Sequence, residues 1–304
     1  MIVSHRLGRE SARPLVLAIG FFDGFHRGHR EIARQTLRLR RPGWRSAVLT
    51  FSNHPATHLR PAVVPEMLNT AAERLTLLGA AGFEECYFVR FDDAIALLRP
   101  EEFLQILVER MGVRAVIVGS TFRFGHERGG DVALMQQYFA PRGVQTVSVA
   151  HVTEHGERIS STRIRTLVRR GELAAADELL GGSGYEIRGA VEVGAGRGHA
   201  LGFPTANLRP PEKLLPKDGV YSAVARYDGR DYPALVSIGN NPQFNGAQRS
   251  LEAWLRDFGH TIYGREVAIR ALRYVREQRL FESTGELTQQ MLRDREAIGY
   301  PTYG

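Results

Sequence analysis

Cysteine is almost missing from this chain: among 304 residues there is one, Cys86. A single thiol closes no intrachain disulfide and supplies no multi-thiolate metal cluster, so a reducing, cytoplasmic setting is expected. Lysine is nearly as scarce, with Lys213 and Lys217 beside 38 arginines. Long apolar runs are absent too. Stretches such as 15–19 and 115–118 fall far short of the roughly 20 residues that cross a bilayer, which excludes a membrane-spanning helix. The first 13 residues carry charges without a following apolar stretch and small-residue cleavage site, so export is not expected.

What remains is an ordinary globular mixture, 43% hydrophobic and 24% charged, on a chain long enough for two cores. The net charge is +7, divided as +5 over residues 1–183 and +2 over 184–304. Neither half is a basic tail, so nucleotide phosphates rather than nucleic acid are the expected anions. Nothing in the composition argues against self-association.

Short apolar runs at 15–19, 46–51, 85–89, 115–118 and 145–149 alternate with helical patterns, the order that builds a parallel sheet with crossover helices. Helices are expected over 72–79, placing Leu75 and Leu78 on one face, and over 101–111, placing Phe103, Ile106, Leu107 and Arg110 together. Residues 181–184, Gly-Gly-Ser-Gly, follow a helical run ending at Leu180 and predict a domain boundary there, dividing the chain into 1–182 and 183–304. Beyond Tyr185 the period changes to two. Runs at 220–227 and 232–238 flank Asp228-Gly229, a strong hairpin signal, and 251–258 and 266–272 alternate likewise. Closure into an antiparallel barrel removes the exposed edges of such strands. Ser283 or Thr284 can cap a last helix over 285–298.

The string GFFDGFHRGH, residues 20–29, sits where the first strand turns into a helix. Ligands of open α/β sheets bind at such strand ends, and a helix starting near Arg27 offers free N–H groups to an anion. Gly24 and Gly28 allow close approach, while His26 and His29, three apart, share a face and can both donate to phosphate oxygens. Paired histidines also bind zinc, but no third ligand lies nearby in sequence. Residues 159–165, ISSTRIR, place Ser160, Ser161 and Thr162 at a helix start with Arg163 and Arg165 just inside it, a cap followed by positive charge.

The GxFDGxHxGH pattern resembles the nucleotidyltransferase signature of the bifunctional bacterial riboflavin kinase/FMN adenylyltransferases, or FAD synthetases. Residues 118–131, VGSTFRFGHERGGD, resemble that family's glycine and arginine loop, and ISSTRIR its triphosphate-binding turn. The resemblance implies a Rossmann-like α/β nucleotidyltransferase domain followed by a smaller antiparallel β-barrel kinase domain with a C-terminal helix. It also implies that His26, His29 and Arg165 activate the ATP phosphates. Gly20, Phe22, Asp23, Gly24, Gly28 and Ser160 to Arg163 would line the nucleotide site, with Asn53, His54 and Phe124 bordering the flavin phosphate and adenine pockets. The chain departs from the family's usual residues at Phe21, Ser52, Asn53, Thr121 and Gln243.

The glycine-rich arch 189–207 ends in GFPTAN and contains Gly196, Gly198 and Gly202; glycines alone would only permit turns. GFPTAN resembles the riboflavin kinase signature, which implies that Gly196, Gly198, Gly202, Pro204, Thr205 and Asn207 line the nucleotide site and that Thr205 and Asn207 hold magnesium. KDGVY (217–221), SIGNNPQF (237–244) and LEAWLRDF (251–258) continue the match. They imply that Glu252 is the general base toward the riboflavin 5′-hydroxyl. VREQRLF (275–281) implies that Arg276 meets the flavin or its phosphate. ATP, riboflavin and FMN are then substrates. A chain with only its kinase half active, and a flavin- or RNA-binding regulator, are the competing readings.

Overall fold

A computed structural model describes residues 1–8, 13–182, 184–194, 203–240, 249–279, 281–296 and 298. Two compact units make up the chain, Met1–Ser161 and Thr162–Gly304.

In the first unit, β1 (Ile2–Ser4), β2 (Leu15–Ile19), β3 (Arg45–Phe51), β4 (Glu85–Val89), β5 (Val113–Gly119) and β8 (Gln145–Val149) form one sheet. Two short hairpins, β6 (Arg123–Phe124) with β7 (Gly130–Asp131) and β9 (Thr153–Glu154) with β10 (Glu157–Arg158), stand apart from it. The sheet order is β1-β4-β3-β2-β5-β8, and every neighbouring pair is parallel. Between the strands run α1 (Arg27–Leu39), α2 (Pro55–Leu59), α3 (Ala71–Ala80), α4 (Asp93–Ala96), α5 (Pro100–Glu109) and α6 (Val132–Phe139).

All five residues of β2 and all five of β4 are buried, as expected of parallel strands covered on both faces. Alternate side chains feed two cores. Leu15, Leu17, Leu49 and Val116 meet Phe103, Leu104 and Leu107 of α5. Val16, Ala18, Val48 and Ile117 meet Ile32 and Ala33 of α1 and Leu78 of α3. Full burial of such side chains stabilises by roughly 1.5–3 kcal/mol each. Cys86 in β4 belongs to the second core and is fully buried, which pushes its thiol up to about 12.

The order runs outward from β2 through β3 to β4 on one side and from β5 to β8 on the other. The switch point therefore lies between β2 and β5, where ligands of doubly wound sheets bind. Helix α1 packs against both of these strands, so its N-terminus opens at that crevice.

The helix α7 (Ser161–Arg170) begins on the last residue of the first unit, and α8 (Leu173–Leu180) ends at Gly181 in the left-handed conformation, φ 82°. Both lie almost wholly in the second unit, earlier than the Gly-Gly-Ser-Gly stretch. The barrel is closed in the order β11 (Ile187–Glu192), β12 (Thr205–Leu208), β15 (Arg249–Leu255), β14 (Arg230–Asn240), β13 (Gly219–Tyr227) and β16 (Glu266–Arg276). Tyr227 pairs with Arg230, so the hairpin loop is the two residues Asp228 and Gly229, at φ 47° and 75°. That is the primed turn the sequence calls for. The helix α9 (Thr284–Glu296) starts beneath the Ser283 hydroxyl, which accepts the Glu286 N–H at 3.2 Å.

Candidate active site

His26 occupies the N-cap of α1, and its Nδ1 accepts the His29 N–H at 3.4 Å. With Nδ1 used as acceptor, the neutral ring carries its proton on Nε2, leaving that N–H as a donor. The two imidazoles stack, centroids 3.7 Å apart and planes 18° from parallel. Gly28 makes this possible: a Cβ there would lie 3.1 Å from His26 Cε1. His29 Nδ1 is buried and has no hydrogen-bond partner in the protein. This orphaned polar atom stands at a helix start on the switch crevice, which makes the pair a candidate for contact with a bound group.

The turn that delivers these rings is tightly held. The Asp23 carboxylate accepts the N–H groups of Leu68 and Asn69 at 3.0–3.1 Å, and the Asn69 side-chain oxygen accepts the Gly24 N–H at 2.8 Å. The Ser161 hydroxyl donates to the Asp23 carbonyl at 2.9 Å. Phe22 is left-handed at φ 58° with its ring fully buried, and Gly20 leaves room for that ring. Asn53 bridges the loops after β3 and β4, donating to Phe91 O and accepting from Phe91 N. His54 caps α2 through Ala56 N and sets its ring edge against Phe21 at 4.7 Å. Phe124 lies in the core against Phe103 and Phe122. Ser160 precedes α7, Thr162 is exposed, Arg163 is half-buried and Arg165 is buried; the last three belong to the second unit.

On the barrel, register sorts the side chains. Leu208, Leu251 and Ile238 form one cross-strand row and Ala253 with Val236 another, all of them buried. The alternate rows face outward. Asn207 pairs with Glu252, and Glu252 with Ser237, so three polar side chains stand side by side at the roughly 5 Å spacing of such pairs. Gln278 extends the row by donating to the Ser237 hydroxyl at 2.9 Å. Thr205 lies on the same face, two residues along β12 and opposite Trp254. The backbone at Gly194 runs against the Asn207 amide, where any Cβ would collide with it. Pro204 is exposed just before this strand. Gly196, Gly198, Gly202 and Gln243 lie outside the described residues. Arg276 is bound to Asp294 of α9, with Nε 3.0 Å from both carboxylate oxygens and a terminal nitrogen 2.6 Å from one, and it faces the Phe281 ring.

The FAD synthetase family model matches residues 8–163, and the riboflavin kinase model matches 181–299. A bifunctional riboflavin kinase/FMN adenylyltransferase of Bacillus subtilis (strain 168) is 33% identical over 303 residues, 97% of this chain and 95% of its own. The chain belongs to this family. Its Escherichia coli (strain K12) relative of the same name is 33% identical over 293 residues, covering 95% and 93% of the two chains. A crystal structure from Streptococcus pneumoniae, described for that chain as a macrolide-efflux protein, superposes with TM-score 0.90 at 29% identity, covering 99% of this chain and 100% of that one.

As a member of this bifunctional family, the chain is a riboflavin kinase and an FMN adenylyltransferase, an enzyme type whose substrates are riboflavin, FMN and ATP. Among the described residues no helix is long and apolar enough to cross a membrane. The sequence assigns no role to Asn69, Ser237 or Gln278, the last two standing only inside the matched strings SIGNNPQF and VREQRLF. Asn69 could have been suspected from its place just before the Thr70 cap, whereas Ser237 and Gln278 are joined only by folding.

The electrostatics of the histidine pair carry a testable consequence. Burial, and then the nearby Arg158, lowers the His26 pKa to about 4. Burial, and then His26, lowers that of His29 well below its ordinary value. An unfolded histidine protonates near 6.5, so between about pH 6.5 and 4 the unfolded chain takes up protons that the native rings refuse. Stability of the first unit is therefore expected to fall as pH drops through that window, and this source adds nothing above pH 7. His26 alone accounts for on the order of 3 kcal/mol by pH 4. Urea unfolding at pH 7, 6 and 5 checks this: the midpoint of wild type should fall more steeply with acid than that of His26→Gln, and parallel slopes would count against it.

Proposed function

We propose that residues 1–182 carry the adenylyl transfer and residues 183–304 the kinase reaction, with the residue roles that follow. Support comes from two polar clusters in one chain, the stacked histidines at the start of α1 and the outward row of Asn207, Glu252 and Ser237. The beginning of the riboflavin kinase match at residue 181, where Gly181 ends α8, supports the division.

In the kinase reaction the riboflavin 5′-oxygen attacks the terminal phosphorus of ATP. Glu252 accepts the hydroxyl proton, the new O–P bond forms, and ADP leaves. Thr205 and Asn207 would hold magnesium through their side-chain oxygens. The donor set fits: both are hard oxygen ligands on one strand face. Among the described residues no group of three or more His, Cys, Asp or Glu could form a metal cage. Magnesium keeps waters and shares phosphate oxygens with its nucleotide, so two neutral protein ligands suffice. When bound it supplies neutralisation of phosphate charge.

In the adenylyl transfer an FMN phosphate oxygen attacks the α-phosphorus of ATP and pyrophosphate leaves. A phosphate with its second pKa near 6 is already ionised at neutral pH and needs no base. The histidines therefore serve as donors to developing charge, consistent with imidazoles held neutral by burial. Ser160 to Thr162, Arg163 and Arg165 are assigned to the triphosphate by the family's sequence pattern alone, as a cap followed by positive charge. The lone, buried Cys86 agrees with a cytoplasmic setting.

Incubating the full chain with riboflavin, ATP and magnesium should give FMN and then FAD, separated by chromatography, with a chelator stopping both. A fragment of residues 183–304 should give FMN alone. If the full chain, supplied with FMN, ATP and magnesium, makes no FAD while its kinase turns over, the adenylyl assignment fails and the kinase-only reading stands.

A further inference from the structure

The start of α3 grips the phosphate turn at both ends, and one of the two grips is a buried cation. Arg74 is 1% exposed and is fixed in the first turn of α3 by a capping box of Thr70 and Glu73. Its guanidinium donates to Phe21 O at 3.2 Å and Phe51 O at 2.7 Å. Phe21 stands just beyond β2 and Phe51 ends β3, so one side chain ties together the two strand ends from which the site's loops depart. The Phe21 carbonyl is held from a second side by the Thr50 hydroxyl at 2.9 Å. The other end of the turn, Asp23 and Gly24, is bonded to Leu68 and Asn69, the residues that lead into the Thr70 cap.

The charge is housed in an unusual way. Arg74 lies 4.4 Å from the Phe21 ring centroid and 5.2 Å from that of Phe88. Its donors go to carbonyls, its faces meet aromatic rings, and its Nε has no partner. Asp23 favours the charge through space, but that carboxylate is itself bonded to backbone N–H groups. A cation buried in this way is costly, and an apolar side chain of similar volume would commonly serve a core as well or better. What the apolar side chain cannot do is join two carbonyls of different strands in one planar fork.

We propose that Arg74 is a positioning residue for adenylyl transfer, its clamp on Phe21 and Phe51 setting the turn 21–24 and, through it, His26 and His29. Phe21, wedged between Arg74 and His54, covers the clamp. The residue touches no substrate; it acts by fixing where the donors stand, and misplacement of donors by about 1 Å costs on the order of 10²-fold in rate. Because the donors matter most when charge develops on the transferring phosphate, the loss should appear in kcat rather than in KM.

The test compares Arg74→Met and Arg74→Lys in the full chain, reading FAD formation from FMN, with protection of the buried Cys86 thiol from labelling as the control for folding of the first unit and FMN formation from riboflavin as the control for an intact second unit. Arg74→Met should lose about 10- to 100-fold in adenylylation kcat with KM for ATP within about threefold, while the kinase rate is unchanged. Lysine keeps the charge and reaches one carbonyl, so Arg74→Lys should recover part of the loss. Should the methionine variant unfold the first unit, the lysine variant carries the test alone, with a kcat between wild type and one-tenth of it expected. Wild-type kcat in the folded variants, or a loss confined to KM, overturns the proposal. Failure of the wild-type protein to make FAD would instead remove the adenylyl activity itself, and is seen before any variant is made.

Discussion

Replacing Glu252 by Gln should lower riboflavin phosphorylation by about 10²-fold or more, the usual worth of a positioned general base. The substitution keeps the shape of the side chain. Glu252 sits between Asn207 and Ser237 on the outward face of the barrel, away from the buried rows that hold the strands together. Stability and ATP binding should therefore be retained, and the loss should fall on kcat. FAD formation from supplied FMN provides the control, because it uses the other unit. Normal FMN production by Glu252→Gln would take the residue out of the mechanism.

The second large effect is expected at His29. Its Nδ1 is buried without a partner, its ring lies against His26, and Phe22 lies at 5.2 Å on another side. Donors aimed at developing charge are worth about 3 kcal/mol each, so His29→Ala should slow FAD formation on the order of 10²-fold. Truncation also removes the surface on which the His26 ring stacks, so the helix-capping imidazole loses its orientation as well. Steady-state rates with FMN and with riboflavin, measured on the same preparation, are read beside protection of the Cys86 thiol, which reports folding of the unit that carries His29. Loss of Cys86 protection would point to unfolding of the first unit, and an unchanged FAD rate would leave the histidine pair without a part in the transfer.

Sequence alone reached the frame because the frame is written in burial. The runs 15–19, 85–89 and 145–149 are strands with those same bounds; the first two are buried throughout, as parallel strands covered on both faces are, whereas Gln145–Val149 is a half-exposed edge strand marked by its β-branched Thr146, Val147 and Val149. β1 escaped notice for the opposite reason. Ile2 is 55% exposed on a three-residue edge strand, and its pairing with β4 is a long-range event that no local pattern records. The helix expected over 101–111 stops at Glu109, where Arg110 becomes the C-cap and the chain turns at Gly112, φ 69°. Local signals also carried the histidine pair, since capping and spacing act within four residues. Arg74 could not be found in that way. An arginine in a first helical turn reads as a solvated surface residue, and only the folded sheet brings Phe21, Phe51 and Phe88 around it.

The single thiol turns the protein into its own reporter. Cys86 is fully sealed in β4 and its pKa is raised to about 12, so a thiol reagent at neutral pH meets neither access nor thiolate in the folded state. Labelling then proceeds only through opening of the first unit, and its rate follows the population of that opened form when reclosing is fast. No other cysteine competes for the reagent. Ligands of the adenylylating half should slow the labelling by mass action in proportion to their binding. Affinities for ATP and FMN become readable in that half without turnover, and engineered cysteines for spectroscopic probes can be placed elsewhere on a background that is chemically silent.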